Sequence, residues 1–197
     1  MIRIGILGNI GSGKSYVAKN FGYPVFNADY EVSKLYKKDK KVFKKLNKAL
    51  PTYFDKFPIE KIQVLKAILD NKKNLKKIIK IVHLEIRKKM KLFISNNKNK
   101  KIILLDIPLL LENKINNKNF ILIYVHSKKQ DILKRLRMRK NYNQKLFQLF
   151  RNIQLPLDYK KKRSQFIINN NFRERSVKSS IKKILYKIKN ERNRIRH

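Results

Sequence analysis

Apolar residues fall along the chain in two patterns. Short, mainly apolar runs occupy residues 2–7, 102–105 and 120–125, with shorter ones at Pro24-Val25-Phe26 and Phe166-Ile167-Ile168. Short apolar runs with polar borders predict strands buried on both faces. Elsewhere the apolar positions recur at helical spacing. Residues 16–21 predict a helix directly after the first strand. Residues 61–69 predict another, with Ile62, Leu65, Ile68 and Leu69 on one stripe, and residues 75–93 continue it through Ile78, Ile79 and Val82. Residues 128–150 predict a helical stretch broken near Asn141-Tyr142-Asn143. A closing amphipathic helix over 177–188 carries Val177, Ile181, Ile184, Leu185 and Ile188 on one face. Strands alternating with helices imply parallel βαβ units and an α/β class. The stretch from Asp29 to Asn99 reads as a helical lobe inserted between strands, returning through Ser95-Asn96-Asn97-Lys98-Asn99.

Composition narrows the picture. A chain of 197 residues with 42% hydrophobic content suits one domain with an inserted lobe. The absence of cysteine excludes disulfides and thiolate metal sites. The apolar runs are too short to span a bilayer, so no membrane association is expected. Met1 leads straight into the first strand, which leaves no secretion signal and points to the cytoplasm. Lys and Arg number 51 against 13 Asp and Glu, a net charge of +38. Taken alone, such a balance indicates nucleic acid or an anionic surface. The excess is mostly lysine, however, and it travels with asparagine and isoleucine, which share AT-rich codons. Codon bias accounts for it without a specific nucleic-acid partner. The positive field still attracts polyanions such as ATP.

The strongest chemical signal follows the first strand: Gly8-Asn9-Ile10-Gly11-Ser12-Gly13-Lys14-Ser15. It matches the phosphate-loop pattern G-x-x-x-x-G-K-[ST]. Its glycines let the backbone turn its N–H groups toward phosphate oxygens. Lys14 supplies a point charge for the β- and γ-phosphates, and the Ser15 hydroxyl can ligate Mg²⁺. The helix beginning near Tyr16 aims its N-terminal dipole at the same place.

Four further groups carry chemistry, each with a plainer alternative. Asp106 ends the run Ile102-Ile103-Leu104-Leu105, where a buried strand would deliver a carboxylate to the Mg²⁺ shell; otherwise it caps the turn at Pro108. Asp29 follows the second short strand, where it would accept a proton from an attacking hydroxyl or cap the helix near Tyr30. Arg135, Arg137 and Arg139 would close over a transferring phosphate, or form a solvated basic face. His83 and Arg87, spaced i to i+4, share a helical face and would hold a phosphate or polar substrate group; a buried structural histidine is the alternative.

Taken together, the chain resembles the dephospho-CoA kinase family. The resemblance rests on the phosphate loop, the step Asn27-Ala28-Asp29, His83-Leu84-Glu85-Ile86-Arg87 and Asp106-Ile107-Pro108-Leu109-Leu110-Leu111-Glu112. It continues through Arg135-Leu136-Arg137-Met138-Arg139, Gln154 and Ile168-Asn169-Asn170. The chain departs from the family at Leu7, Asn9, Asn27, Leu84 and Gln165. The resemblance implies a parallel five-stranded sheet flanked by helices, a helical substrate lobe at about 30–98 and a lid at about 135–153, all within one kinase domain. It implies transfer of the ATP γ-phosphoryl to the ribose 3′-hydroxyl of dephospho-CoA, the last step of coenzyme A synthesis. Lys14, Asp29 and Arg139 would be catalytic. Gly8, Asn9, Ile10, Gly11, Ser12, Gly13, Lys14, Ser15, Tyr16, Arg135 and Asn170 would bind ATP, with Asn170 near the adenine. Asp29, His83, Arg87 and Asp106 would bind the acceptor, and Ser15 and Asp106 would hold Mg²⁺. A monomer or weak homo-oligomer is expected. The competing readings are a nucleoside monophosphate kinase-like enzyme and a nucleic-acid-binding NTPase.

Overall fold

The computed structural model describes residues 1–113, 120–138 and 142–194. Strand β1 (Ile2–Gly8) leads into helix α1 (Lys14–Asn20). After the short strand β2 (Val25–Asn27) come four helices: α2 (Ala28–Lys38), α3 (Lys40–Ala49), α4 (Lys61–Asp70) and α5 (Lys72–Asn96). Then follow β3 (Ile102–Asp106), β4 (Phe120–His126), α6 (Lys129–Arg137), α7 (Gln144–Asn152), α8 (Leu157–Lys162), β5 (Phe166–Asn169) and α9 (Glu174–Arg194). The described residues form two compact units. One comprises Met1–Phe26, Lys100–Tyr142 and Gln154–His197; the other comprises Asn27–Asn99 and Asn143–Ile153.

The first unit holds a five-stranded sheet of order β2-β3-β1-β4-β5. β1 pairs in parallel with β3 and β4, and β4 with β5. The predicted runs therefore form strands, and β1 is central because its apolar residues are covered on both sides. Ile4, Ile6, Ile123 and Val125 pack against Val17 and Phe21 of α1 and Val177 and Ile181 of α9. Burial of each such aliphatic side chain contributes roughly 1.5–3 kcal/mol. The stripe expected on the closing helix is the one buried: Val177, Ile181, Ile184 and Ile188, with Leu185 at its margin. Gln165, one of the departures, extends the β4–β5 ladder. Its Oε1 accepts from the Leu122 N–H at 2.7 Å, and its own N–H donates to the Leu122 carbonyl at 3.0 Å.

The second unit is helical. Helix α5 packs against α2, α3 and α4, and α7 packs against α4. Ile78, Val82, Ile86 and Met90 form the buried stripe of α5. Each start has a polar cap: Asn27 accepts from the Tyr30 N–H at 2.7 Å, and Asp39 accepts from Lys41 and Val42 N–H at 2.9 and 3.0 Å. At the start of α4, the Glu60 N–H donates to Gln63 Oε1 at 2.8 Å. The stripe expected on α4 holds at Ile68 and is corrected elsewhere: Val64, Ala67 and Ile68 are buried, Leu65 is half-buried, and Ile62 is 51% and Leu69 42% exposed. Val64, Ala67 and Ile68 recur at i, i+3 and i+4, so they form one helical face, turned about Ile68 from the expected stripe. Helix α5 runs unbroken through Leu84, one of the departures, where a proline would remove a backbone donor. The segment expected as a lid divides: α6 belongs to the sheet unit and α7 to the helical one.

Candidate active site

The phosphate loop crosses the carboxyl ends of β1 and β4, where ligands bind in open parallel sheets. Gly8 has φ 146°, and a Cβ there would fall 2.6 Å from the Val125 carbonyl oxygen, so the strand can turn away from the sheet only as glycine. Gly13, the N-cap of α1, has φ 85° and faces the Asn170 carboxamide so closely that any Cβ would collide with it. Lys14 curls over the loop, its Nζ donating to the Asn9 carbonyl at 2.7 Å and the Gly8 carbonyl at 3.2 Å. The Asn9 side chain accepts from the Ile10 N–H at 2.8 Å, so this departure from the family braces the loop from within.

The loop is also held from outside. Ser12 is fully buried, and its carbonyl accepts two hydrogen bonds, from Ser127 Oγ at 3.0 Å and from Asn170 Nδ2 at 2.8 Å. Both donors are buried and follow the ends of neighbouring strands, Ser127 after β4 and Asn170 after β5. The Asn170 N–H extends the ladder to the His126 carbonyl at 2.7 Å, and its Oδ1 accepts from the Phe172 N–H at 2.9 Å. The Asn170 carboxamide, expected near the adenine, is thus engaged by backbone on both sides. Ser12 Oγ is buried with no hydrogen-bond partner among the described residues.

Asp106 ends β3, the strand next to β1, and is only 3% exposed. A buried carboxylate beside a phosphate loop supplies a hard oxygen donor. Ser15 lies in the first turn of α1, half-buried, and Tyr16 beside it is exposed. Arg135 places its guanidinium over the Phe172 ring, 4.3 Å from the centroid. Phe172 has φ 63°, a left-handed conformation uncommon outside glycine and enriched in tight turns. Arg137 is exposed in the last turn of α6, and Arg139 lies outside the described residues.

The remaining expected residues lie in the helical unit. Asn27 occupies the N-cap of α2, so Asp29, exposed in that helix's first turn, is not the cap. His83 and Arg87 stand one turn apart on α5, His83 half-buried and Arg87 exposed. Between them Glu85 bonds Lys45 of α3 at 2.9 Å and Lys88 at 3.2 Å. These bonds, the Lys45 one foremost, hold its carboxyl below the ordinary glutamate range.

Ser127 and Phe172 escaped the sequence reading. Only their places in the loops that follow predicted strands marked them, and that signal is shared by every loop residue there.

A five-stranded sheet with a phosphate loop after its central strand defines a phosphate-loop nucleotide-binding fold. The model of the CoaE dephospho-CoA kinase family matches residues 2–175. The dephospho-CoA kinase of Wolbachia sp. subsp. Brugia malayi is 33% identical over 187 residues, covering 92% of this chain and 95% of that protein. Among solved structures, TT1252 from Thermus thermophilus superposes with a TM-score of 0.71 at 24% identity, over 94% of this chain and 96% of that one. The dephospho-CoA kinase from Campylobacter jejuni gives 0.59 at 21% identity, over 95% and 98%. The chain belongs to the dephospho-CoA kinase family. It is an ATP-dependent kinase of coenzyme A biosynthesis. No helix among the described residues is long and apolar enough to cross a membrane.

Proposed function

We propose that the chain transfers the γ-phosphoryl of ATP to the ribose 3′-hydroxyl of dephospho-CoA, in the cytoplasm, as a monomer or weak homo-oligomer. The observation that carries this reading at the level of residues is the buried Asp106 carboxylate on the strand beside the phosphate loop. Residues 8–15 cradle the β- and γ-phosphates with backbone N–H groups, and the α1 dipole favours their charge. Lys14 exchanges its two loop carbonyls for phosphate oxygens. Tyr16 and Arg135 line the nucleotide, and Asn170 supports the loop that grips it.

The donor set suits magnesium. The Ser15 hydroxyl and the Asp106 carboxylate are hard oxygens, and a magnesium ion held by so few protein groups keeps the rest of its shell for water and phosphate. When bound, the ion would offset phosphate charge as the γ-phosphoryl leaves.

Asp29 orients the acceptor hydroxyl and takes its proton late in the transfer, as a loose transition state requires. His83 and Arg87 hold the acceptor, and Arg139 meets charge that grows on the transferring group. Asn27, as the cap, frees Asp29 from that duty. Asp29→Asn therefore binds both substrates nearly normally and loses most of its kcat. Asn27→Ala costs about 1 kcal/mol of stability from the lost cap and little turnover. Steady-state kinetics on dephospho-CoA separate them; equal, mild losses would remove Asp29 from the chemistry.

A further inference from the structure

Lys160 on α8 is 1% exposed, among the most buried side chains in the protein. Its Nζ pairs with Glu112 Oε1 at 2.7 Å and donates to Gln154 Oε1 at 3.1 Å. The same Glu112 Oε1 accepts from the Leu155 N–H at 2.9 Å. Glu112 is itself 11% exposed, and its Oε2 is buried with no hydrogen-bond partner among the described residues. No step described above uses this pair.

Three segments meet at that carboxylate. The first is the turn after β3 that begins at Asp106. It is closed by the Leu110 N–H on the Ile107 carbonyl at 3.2 Å and by the Asn113 N–H on the Leu109 carbonyl at 3.1 Å. The second is Gln154-Leu155, where the chain rejoins the sheet unit after α7. The third is α8, which packs on β1, the strand that feeds the phosphate loop.

A buried ion pair is weak evidence of stability, because apolar residues of similar volume serve as well or better. Leaving Oε2 unbonded moves the pair further from a stability optimum. What an apolar replacement cannot do is fix three backbones at one point with directional bonds. We propose that Glu112 and Lys160 are positioning residues: they pin the Asp106 turn to the point where the chain returns from α7, and so hold the Asp106 carboxylate steady during transfer. The inference rests on the kinase reading of this site, and the parent's own turnover on dephospho-CoA, measured alongside, reports on that reading separately.

The test is the double variant Glu112→Gln with Lys160→Met. It strands no charge, and the glutamine still accepts from Leu155. Positioning requires that the folded variant lose about tenfold or more in kcat while its KM for ATP stays within about twofold. Hydrogen exchange over residues 153–160 should accelerate by about the same factor. A folded variant with kcat within about twofold of the parent overturns the proposal, whatever its melting temperature. If the double variant does not fold, Gln154→Ala decides. It removes only the half-buried acceptor of Lys160, and a fall in kcat of about threefold or more at unchanged KM for ATP supports positioning, whereas parent-like kcat overturns it.

Discussion

The Asn170 carboxamide donates to the Ser12 carbonyl at 2.8 Å, so a residue after the edge strand β5 holds the crest of the phosphate loop after the central strand β1. With Ser127 on the same oxygen, the loop is shaped by neighbouring strand ends before phosphate arrives. Preorganised donors of this kind carry much of the electrostatic work in phosphoryl transfer.

Asn170→Ala should weaken ATP and GTP alike. The lost bond leaves a buried carbonyl half-satisfied, a change worth about 1–3 kcal/mol, and it affects the phosphate grip rather than the base. The measurement is KM for both nucleotides. A changed ATP-to-GTP preference would make Asn170 a reader of adenine.

Gly13→Ala should fold poorly and bind no ATP. The new side chain meets the Asn170 carboxamide in a left-handed backbone, and strain of this sort costs about 1–3 kcal/mol. Thermal melts with and without ATP check it; a ligand-induced shift equal to the parent's would contradict it.

Lys14→Ala should keep the fold and lose about 10²-fold or more in kcat, since a charge aimed at the β/γ oxygens disappears without touching the core. A parent-like melting curve with parent-like turnover would contradict the role given to the loop.

The sheet unit was legible because its strands are short, mainly apolar runs with polar borders. Lys14 and Ser15 could be named from the phosphate-loop pattern and Asp106 from its place at the end of an apolar run, whereas Asn170 came only from the family resemblance. The buried face of α4 was not legible. Its sequence offers two apolar stripes that share Ile68, and the buried one holds Val64 and Ala67 rather than Ile62 and Leu69. Ser127, Phe172 and Lys160 were invisible for a different reason. Each acts through a partner far along the chain, Ser12 for Ser127, Arg135 for Phe172 and Glu112 for Lys160, and no local pattern encodes such a pairing.

The pair of Glu85 with Lys45 should make the helical unit acid-sensitive. Its folded carboxyl lies below the ordinary value of 4.5, the Lys45 bond being the main cause. The contribution is therefore fully present above that ordinary value and is lost as pH falls through the lower, folded one. Glu85→Gln should cost a few tenths to about 1 kcal/mol at neutral pH, as partly exposed pairs do. The gap from the parent should close in acid and in high salt. Denaturant titrations across pH measure it, and a gap independent of pH would contradict the pairing.

The most direct measurement offers one purified preparation ATP, Mg²⁺ and a choice of acceptors: dephospho-CoA, AMP and RNA. The account predicts that phosphate passes from ATP to dephospho-CoA at its 3′-hydroxyl, that AMP is a poor acceptor, and that RNA leaves turnover unchanged. Preferential phosphorylation of AMP, or ATP hydrolysis driven by RNA with no transfer to dephospho-CoA, would contradict it.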